Sequence, residues 1–301
     1  MIKTLSPFHP WFITGFTDAE GCFYINITKN NKYKTVWYVE ICFQIGLNNK
    51  DRAILEQIKN YFGVGNIYIL NENSVLLIIK SPKELKVVID HFDRYPLLTK
   101  KFEDYIFFKH AFDIVKNKNH LTEEGLKQIV AIKASLNWGL SETLREAFPD
   151  ITPAIRPVST SRIMLDPYWL VGFTTGEGCF FVDIFTSKTY KAGYQVKLKF
   201  QLTQHKRDEQ LMKSLIEYFD CGNLYKDREC LIFIVTKFSD ISEKIIPFFN
   251  KHTVVGEKFL NFTDWCRVAE IIKSKGHLTE EGLDMVIKIK AGMNTGRERA
   301  V

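Results

Sequence analysis

One segment of the chain, Pro10-Trp-Phe-Ile-Thr-Gly-Phe-Thr-Asp-Ala-Glu-Gly-Cys-Phe23, returns 157 positions later as Pro167-Tyr-Trp-Leu-Val-Gly-Phe-Thr-Thr-Gly-Glu-Gly-Cys-Phe180. The same offset relates Phe43-Gln44 to Phe200-Gln201, Gly65-Asn66 to Gly222-Asn223 and Lys101 to Lys258. His120–Leu126 reappears unchanged as His277–Leu283. A single register held over such spans identifies two copies of one fold unit, 5–138 and 162–296. The chain therefore divides into an N-terminal repeat (1–138), a linker (139–161) and a C-terminal repeat (162–301). Two copies are expected to stand in pseudo-twofold relation. The linker, with Pro149, Pro153, Pro157 and a Ser-Thr-Ser run, suits an extended surface crossing.

With 301 residues and 46% hydrophobic content, each repeat can bury its own core. No apolar run approaches the roughly 18 residues of a membrane span, and Met1–Pro10 lacks the apolar stretch of a secretory signal. The expectation is a soluble, intracellular protein. Six cysteines without a C-x-x-C pair argue against a disulfide framework or a zinc site.

Within each repeat, Phe23–Ile27, Val39–Ile45 and Val196–Thr203 alternate apolar with polar residues, the period of half-buried strands. Helical spacing over Arg52–Tyr61 puts Ile54, Leu55, Ile58 and Phe62 on one face. A strand pair follows near Gly65–Leu70 and Val75–Lys80. Three helical pieces then run from Pro82 to Leu136, with Thr122 placed as an N-cap. The order is αββαββα plus helices, an α+β fold whose antiparallel sheets each pack one face on helices and leave the other to solvent or a partner.

The repeated motif has two chemical features. Gly15 and Ala19, and Gly172 and Gly176, form strips of tiny side chains that let two helix backbones approach closely; the alternative for either copy alone is an ordinary core helix against a sheet. Glu20 and Glu177 end their helices just before Gly21 and Gly178, glycines suited to a left-handed cap. A carboxylate there faces the negative end of the helix dipole, and a second one nearby would add repulsion. Bound cations relieve both. Paired acidic oxygens with backbone carbonyls and water are what Mg²⁺ prefers, and adjacent metals can stabilise the attacking and leaving oxygens of phosphodiester hydrolysis.

Ile13–Gly21 and Leu170–Gly178 resemble the nine-residue signature of LAGLIDADG homing endonucleases, and the similarity spans nearly the whole chain in the manner of the single-chain, two-repeat, intron-encoded subgroup. The resemblance implies a saddle of two sheets on DNA, cleavage of both strands of a long target leaving short 3′ overhangs, and two or three divalent ions: Mg²⁺, with Mn²⁺ substituting and Ca²⁺ binding without supporting cleavage. It implies metal ligation by Glu20 and Glu177 and by the carbonyls of Ala19 and Gly176. Lys101, Lys258 and Gln204 map onto positions around the attacking waters, with Leu47 in place of the glutamine in the first repeat. That departure makes the two half-sites chemically unequal. Mitochondrial introns encode many family members, so a mitochondrial protein acting as a monomer is implied.

The polar positions of the strands form the expected DNA-reading face: Tyr24, Asn26, Thr28, Asn30, Lys32, Lys34, Tyr38, Glu40, Gln44, Asn66, Tyr68 and Lys80 in the first repeat. In the second they are Phe181, Asp183, Ser187, Lys191, Gln195, Lys197, Lys199, Gln201, Thr203, Asn223, Tyr225 and Thr236. Residues 24–50 carry a charge of +3 and residues 180–207 a charge of +5, more together than the whole chain's +6. Lysines suit phosphates or guanine edges, Gln and Asn suit adenine, and a two-stranded ribbon fits the major groove. Because the two faces differ, an asymmetric target is expected. The alternatives are an RNA-splicing maturase on the same fold, which could dispense with the acids that this chain keeps, and a non-catalytic DNA-binding regulator, which would need no metal.

Overall fold

A computed structural model describes residues 8–157, 165–189, 193–294 and 297. Of the expected site residues, Lys191 lies outside them. The described residues pack as two compact units: one holds 8–10 and 20–157, the other 11–19 and those from 165 on. Most of the first motif helix therefore belongs by its contacts to the second unit.

The first repeat runs α1 (Pro10–Glu20), β1 (Gly21–Lys29), β2 (Trp37–Asn48), α2 (Arg52–Phe62), β3 (Asn66–Asn71), β4 (Ser74–Ile79), α3 (Pro82–Arg94), α4 (Lys101–Lys116) and α5 (Glu123–Ser135). Its sheet is antiparallel in the order β1-β2-β4-β3. The second repeat follows the same plan: α7 (Pro167–Glu177), β5 (Gly178–Thr186), β6 (Tyr194–His205), α8 (Glu209–Phe219), β7 (Asn223–Asp227) and β8 (Cys230–Val235), with sheet order β5-β6-β8-β7. α9 (Phe238–Asp240), a π turn over Ile241–Ile245 and α10 (Ile246–Lys251) then form one interrupted helix, the π turn standing just ahead of Pro247. α11 (Glu257–Lys273) and α12 (Glu280–Ala291) complete it.

Each sheet buries the face that alternation predicts. Phe23, Ile25, Ile27, Val39, Ile41, Phe43, Ile45, Val75, Leu77 and Ile79 are all buried in the first unit. At the centre of that core Phe23 meets Phe43, Phe92, Tyr105 and Phe108 with ring centroids 5.2–5.6 Å apart. In the second unit Phe180 meets Phe200, Phe249, Phe262 and Trp265 at 5.2–5.5 Å. These five positions are related one to one by the 157-residue offset, so the repeat preserves a complete aromatic core as well as a motif.

The duplicated His-Leu-Thr-Glu-Glu-Gly-Leu segment is structural. Thr122 Oγ1 accepts from Gly125 N at 3.1 Å and donates to Asn119 O at 2.7 Å, and Thr279 does the same with Gly282 N and Gly276 O. A Cβ at Gly125 or Gly282 would come within 2.1 Å of the carbonyl of Asn119 or Gly276, which excludes any larger residue from that turn.

The linker departs from the expected extended crossing. It contains α6 (Glu142–Ala147), with Leu144 buried, and is fastened to the first unit. Ala154 N donates to Ala131 O, Ser135 Oγ donates to Ala154 O, and Arg156 pairs with Asp104 at 2.9 Å. Leu144, ahead of the first proline, buries surface that a purely extended reading overlooks, while Ile155 between the last two prolines is exposed.

Candidate active site and strand face

Both motif helices pack through their glycines, and the contact lies within the second unit. A Cβ at Gly15 would sit 2.0 Å from Trp169 O, and one at Gly172 would sit 2.2 Å from Phe12 O and 2.7 Å from Phe16 N. No side chain fits between backbones that close. The expected mutual packing of the small strips is therefore present at Gly15 and Gly172. It is not symmetric: Trp169 Nε1 donates to Asp18 Oδ2 at 2.8 Å, whereas the repeat-equivalent residues are Phe12 and Thr175, the latter bonding its own helix at Val171 O.

Glu20 and Glu177 are half-buried at the last positions of α1 and α7. The expected left-handed caps after them are absent. Gly178 has φ −73° and ψ 151°, extended backbone, and Gly21 is already paired with Ile45 in the ladder of β1 and β2. The chain passes from helix straight into the edge strand, so each acid stands at the junction between a helix end and a sheet. A Cβ at Gly178 would meet Thr174 Cγ2 at 2.4 Å, which explains glycine there without a positive φ.

Lys101 and Lys258 are half-buried and occupy the same place in their own repeats. Lys101, first residue of α4, donates from Nζ to Gly21 O at 2.7 Å. Lys258, near the start of α11, donates to Gly178 O. Each ammonium is thus fixed on the carbonyl of the residue that follows the acid, in place of the solvated position that such lysines ordinarily take. Gln204, near the end of β6, is opposite Leu231 in the register, on the helix side of its sheet, and its Oε1 accepts from His205 N at 3.0 Å. Leu47 has the equivalent place opposite Val75.

Among the described residues no group of three or more His, Cys, Asp or Glu side chains could hold a metal ion. A cation at these acids would draw its other ligands from backbone carbonyls, water and a phosphate. Ala19 and Gly176 lie in the last turn of their helices, where backbone carbonyls point out of the helix end, and a site of one or two carboxylates completed by water and phosphate is what Mg²⁺ ordinarily uses. The donor chemistry fits.

The register collects the expected strand residues on one face of each sheet. Tyr24, Asn26 and Thr28 stand opposite Cys42, Glu40 and Tyr38, and Gln44 stands opposite Cys22 and Ile78. Asn66 and Tyr68 pair with Ile78 and Leu76, and Lys80 lies beside Glu40 at 3.5 Å. Asn30, Lys32 and Lys34 are in the β1–β2 connection. In the second repeat Phe181 and Asp183 pair with Lys199 and Lys197, and Gln201 and Thr203 with Ile234 and Ile232. Gln195 faces Phe185, Asn223 and Tyr225 continue the same face on β7, and Ser187 and Thr236 lie just beyond β5 and β8. The face is less polar than expected, since Leu76, Ile78, Ile232 and Ile234 belong to it half-buried. Sequence reading missed them because an unbroken apolar run does not show which alternate residues face outward.

Repeated acids at helix-to-strand junctions, a lysine clamped beside each and a polar strand face in each unit define one class of protein. A family model for the LAGLIDADG endonuclease matches residues 13–112 and 170–269, and the chain belongs to that family. It is similar to two proteins of Neurospora crassa. Probable intron-encoded endonuclease 2 is 41% identical over 297 residues, 94% of this chain and 64% of that one. Probable intron-encoded endonuclease 3 is 39% identical over 283 residues, 92% of this chain and 53% of that one. The chain thus spans between half and two thirds of the length of those relatives. Its structure is similar to that of the LAGLIDADG homing endonuclease I-SmaMI bound to cleaved DNA, with a TM-score of 0.94, 44% identity and coverage of 96% of this chain and 98% of that one. Against I-SmaMI on an uncleaved DNA target with calcium ions the TM-score is 0.93 at 43% identity, covering 96% and 99%.

Proposed function

We propose that this chain is a site-specific homing endonuclease that hydrolyses both strands of a long, asymmetric duplex DNA target with divalent metal ions, leaving short 3′ overhangs. The observation that carries the reading is the repeated clamp: Lys101 on Gly21 O and Lys258 on Gly178 O, each next to a motif glutamate. An ammonium held there is placed to stabilise charge developing on a phosphate and to order water beside it.

Glu20 and Glu177, with the carbonyls of Ala19 and Gly176, would hold the ions. Mg²⁺ is the working metal, Mn²⁺ a substitute and Ca²⁺ a binder that does not support cleavage. When bound, the metal supplies a Lewis acid and an activated water at neutral pH. Lys101, Lys258 and Gln204 orient the surrounding water, and Leu47 in place of the glutamine makes the two cuts unequal. The strand faces bind the DNA, lysines on phosphates and Gln and Asn on base edges. The intramolecular pairs Glu40–Lys80 and Asp183–Lys199 are half-exposed and weak enough to yield to DNA. The relatives' names as intron-encoded endonucleases support cleavage over an RNA-splicing role, and support a mitochondrial setting.

Selection of cut sites from a randomised DNA pool, followed by incubation of a supercoiled plasmid carrying the selected site with Mg²⁺ or with Ca²⁺, tests this. Linear product in Mg²⁺ alone is expected, with Glu20→Gln and Glu177→Gln each binding the site without linearising it. Cutting by either variant at the wild-type rate would refute the assignment of the acids.

A further inference from the structure

Lys133, on α5, was not among the residues expected to meet DNA, yet its side chain reaches the strand face. The end of α5 is held against the edge of the first sheet: Asn137, with a left-handed φ of 49°, donates from Nδ2 to Phe23 O at 3.1 Å. One residue along that strand, Lys133 Nζ lies over the Tyr24 ring, 5.4 Å from its centroid. Lys101 Nζ bonds Gly21 O at 2.7 Å, so one ammonium from α4 and one from α5 meet the strand that follows Glu20, at Gly21 and at Tyr24. Among the described residues Lys133 has no ion pair, although it is half-buried. A cation taken partly out of water with only an aromatic face for company favours an anion that arrives from outside.

The second repeat places an ammonium over the equivalent ring by another route, from a lysine that also lies 3.5 Å from Asp183. Lys290, the repeat equivalent of Lys133, is exposed. The ring at Phe181, equivalent to Tyr24, instead has Lys199 above it at 4.6 Å, supplied by the neighbouring strand where the first repeat has Cys42. An ammonium over the aromatic ring four residues beyond each acid is thus present in both repeats from unrelated elements. Helix packing does not call for that, because the two lysines share no structural role.

We infer that Lys133 binds a phosphate of the DNA strand that passes Glu20, a phosphate-positioning residue of the first half-site whose counterpart in the second is Lys199. The inference rests on the endonuclease reading. Its test is Lys133→Met in the full chain, with binding of the selected duplex measured in Ca²⁺ across a salt series. The slope of log K against log salt is expected to flatten by about one, and nicked plasmid is expected to accumulate in Mg²⁺ because one strand is cut more slowly. Lys133→Arg should restore the slope, and Lys290→Met should leave it at the wild-type value. A wild-type slope in Lys133→Met, or an equal loss in Lys133→Arg, overturns the inference while the nuclease reading stands. If no cut site is recovered and a duplex selected by affinity is bound but never cut, with the slope still changed by Lys133→Met, the phosphate contact is upheld and the cleavage reading sinks instead.

Discussion

Trp169 Nε1 donates a 2.8 Å hydrogen bond to Asp18 Oδ2, joining two buried side chains whose repeat equivalents, Phe12 and Thr175, make no such bond. It makes the two motif helices non-interchangeable. Trp169→Phe removes the donor from a buried carboxylate and should destabilise the protein by about 2 kcal/mol, read as a shift in the urea midpoint. Asp18→Thr combined with Trp169→Phe installs the residues of the other repeat and should recover part of that loss. Strict additivity of the two single changes would show that the bond contributes no coupling.

Gly15→Ala and Gly172→Ala should be far more damaging than their size implies. Each Cβ would lie within 2.2 Å of a backbone carbonyl of the facing helix, which a rotamer change cannot relieve. We expect a loss of at least about 3 kcal/mol and little soluble protein. Gly46→Ala, where the nearest atom is Leu76 Cδ1 at 3.5 Å, serves as the tolerated comparison. Normal melting of Gly15→Ala would contradict the seam.

Lys101→Met and Lys258→Met should slow cleavage roughly a hundredfold or more while leaving duplex binding in Ca²⁺ near wild type, since each lysine is committed to the carbonyl beside an acid. Single-turnover rates on plasmid, with nicking resolved from linearisation, separate the two steps. A parallel loss of affinity would assign these lysines to DNA binding.

His91 gives a pH dependence of stability. Burial pushes its pKa down to about 3, and Nδ1 lies 3.0 Å from the Tyr61 hydroxyl. In the unfolded chain the same group titrates near 6.5. Below about pH 6.5 the unfolded state therefore takes up a proton that the folded state refuses. Stability falls by up to about 1.4 kcal/mol per pH unit down towards pH 3, and this residue adds no slope above that window. His91→Phe, the residue present at the equivalent Phe248, should flatten the acid limb of the unfolding midpoint against pH. An unchanged limb would place its origin elsewhere.

Much of the architecture was legible beforehand because it is periodic or repeated. Alternation over Phe23–Ile27 and Val39–Ile45 indicated which face each strand buries, and the 157-residue offset located the acids and the lysines in pairs. The aromatic cluster around Phe23 and Phe180 obeys the same offset, yet it stayed hidden because single Phe, Tyr and Trp positions carry no spacing rule of their own. Gly21 and Gly178 were misread as left-handed caps, since a glycine after a helix is as compatible with direct entry into a strand. The linker's fastening to the first unit was likewise out of reach, because Ala154 and Arg156 find partners in α4 and α5 that are distant in sequence.

By itself, then, the sequence determined the duplication, the order of elements, the identity of the acids and the side of each sheet left for a partner. All of these follow from residue spacing and side-chain chemistry along the chain. Tertiary structure alone decided that Gly15 and Gly172 lie against opposing backbone, that Lys101 and Lys258 close on the carbonyls after the acids, and that Lys133 reaches over Tyr24 from a helix. Those are distances between residues far apart in the chain, set by how helix ends meet sheet edges, and no local pattern encodes them.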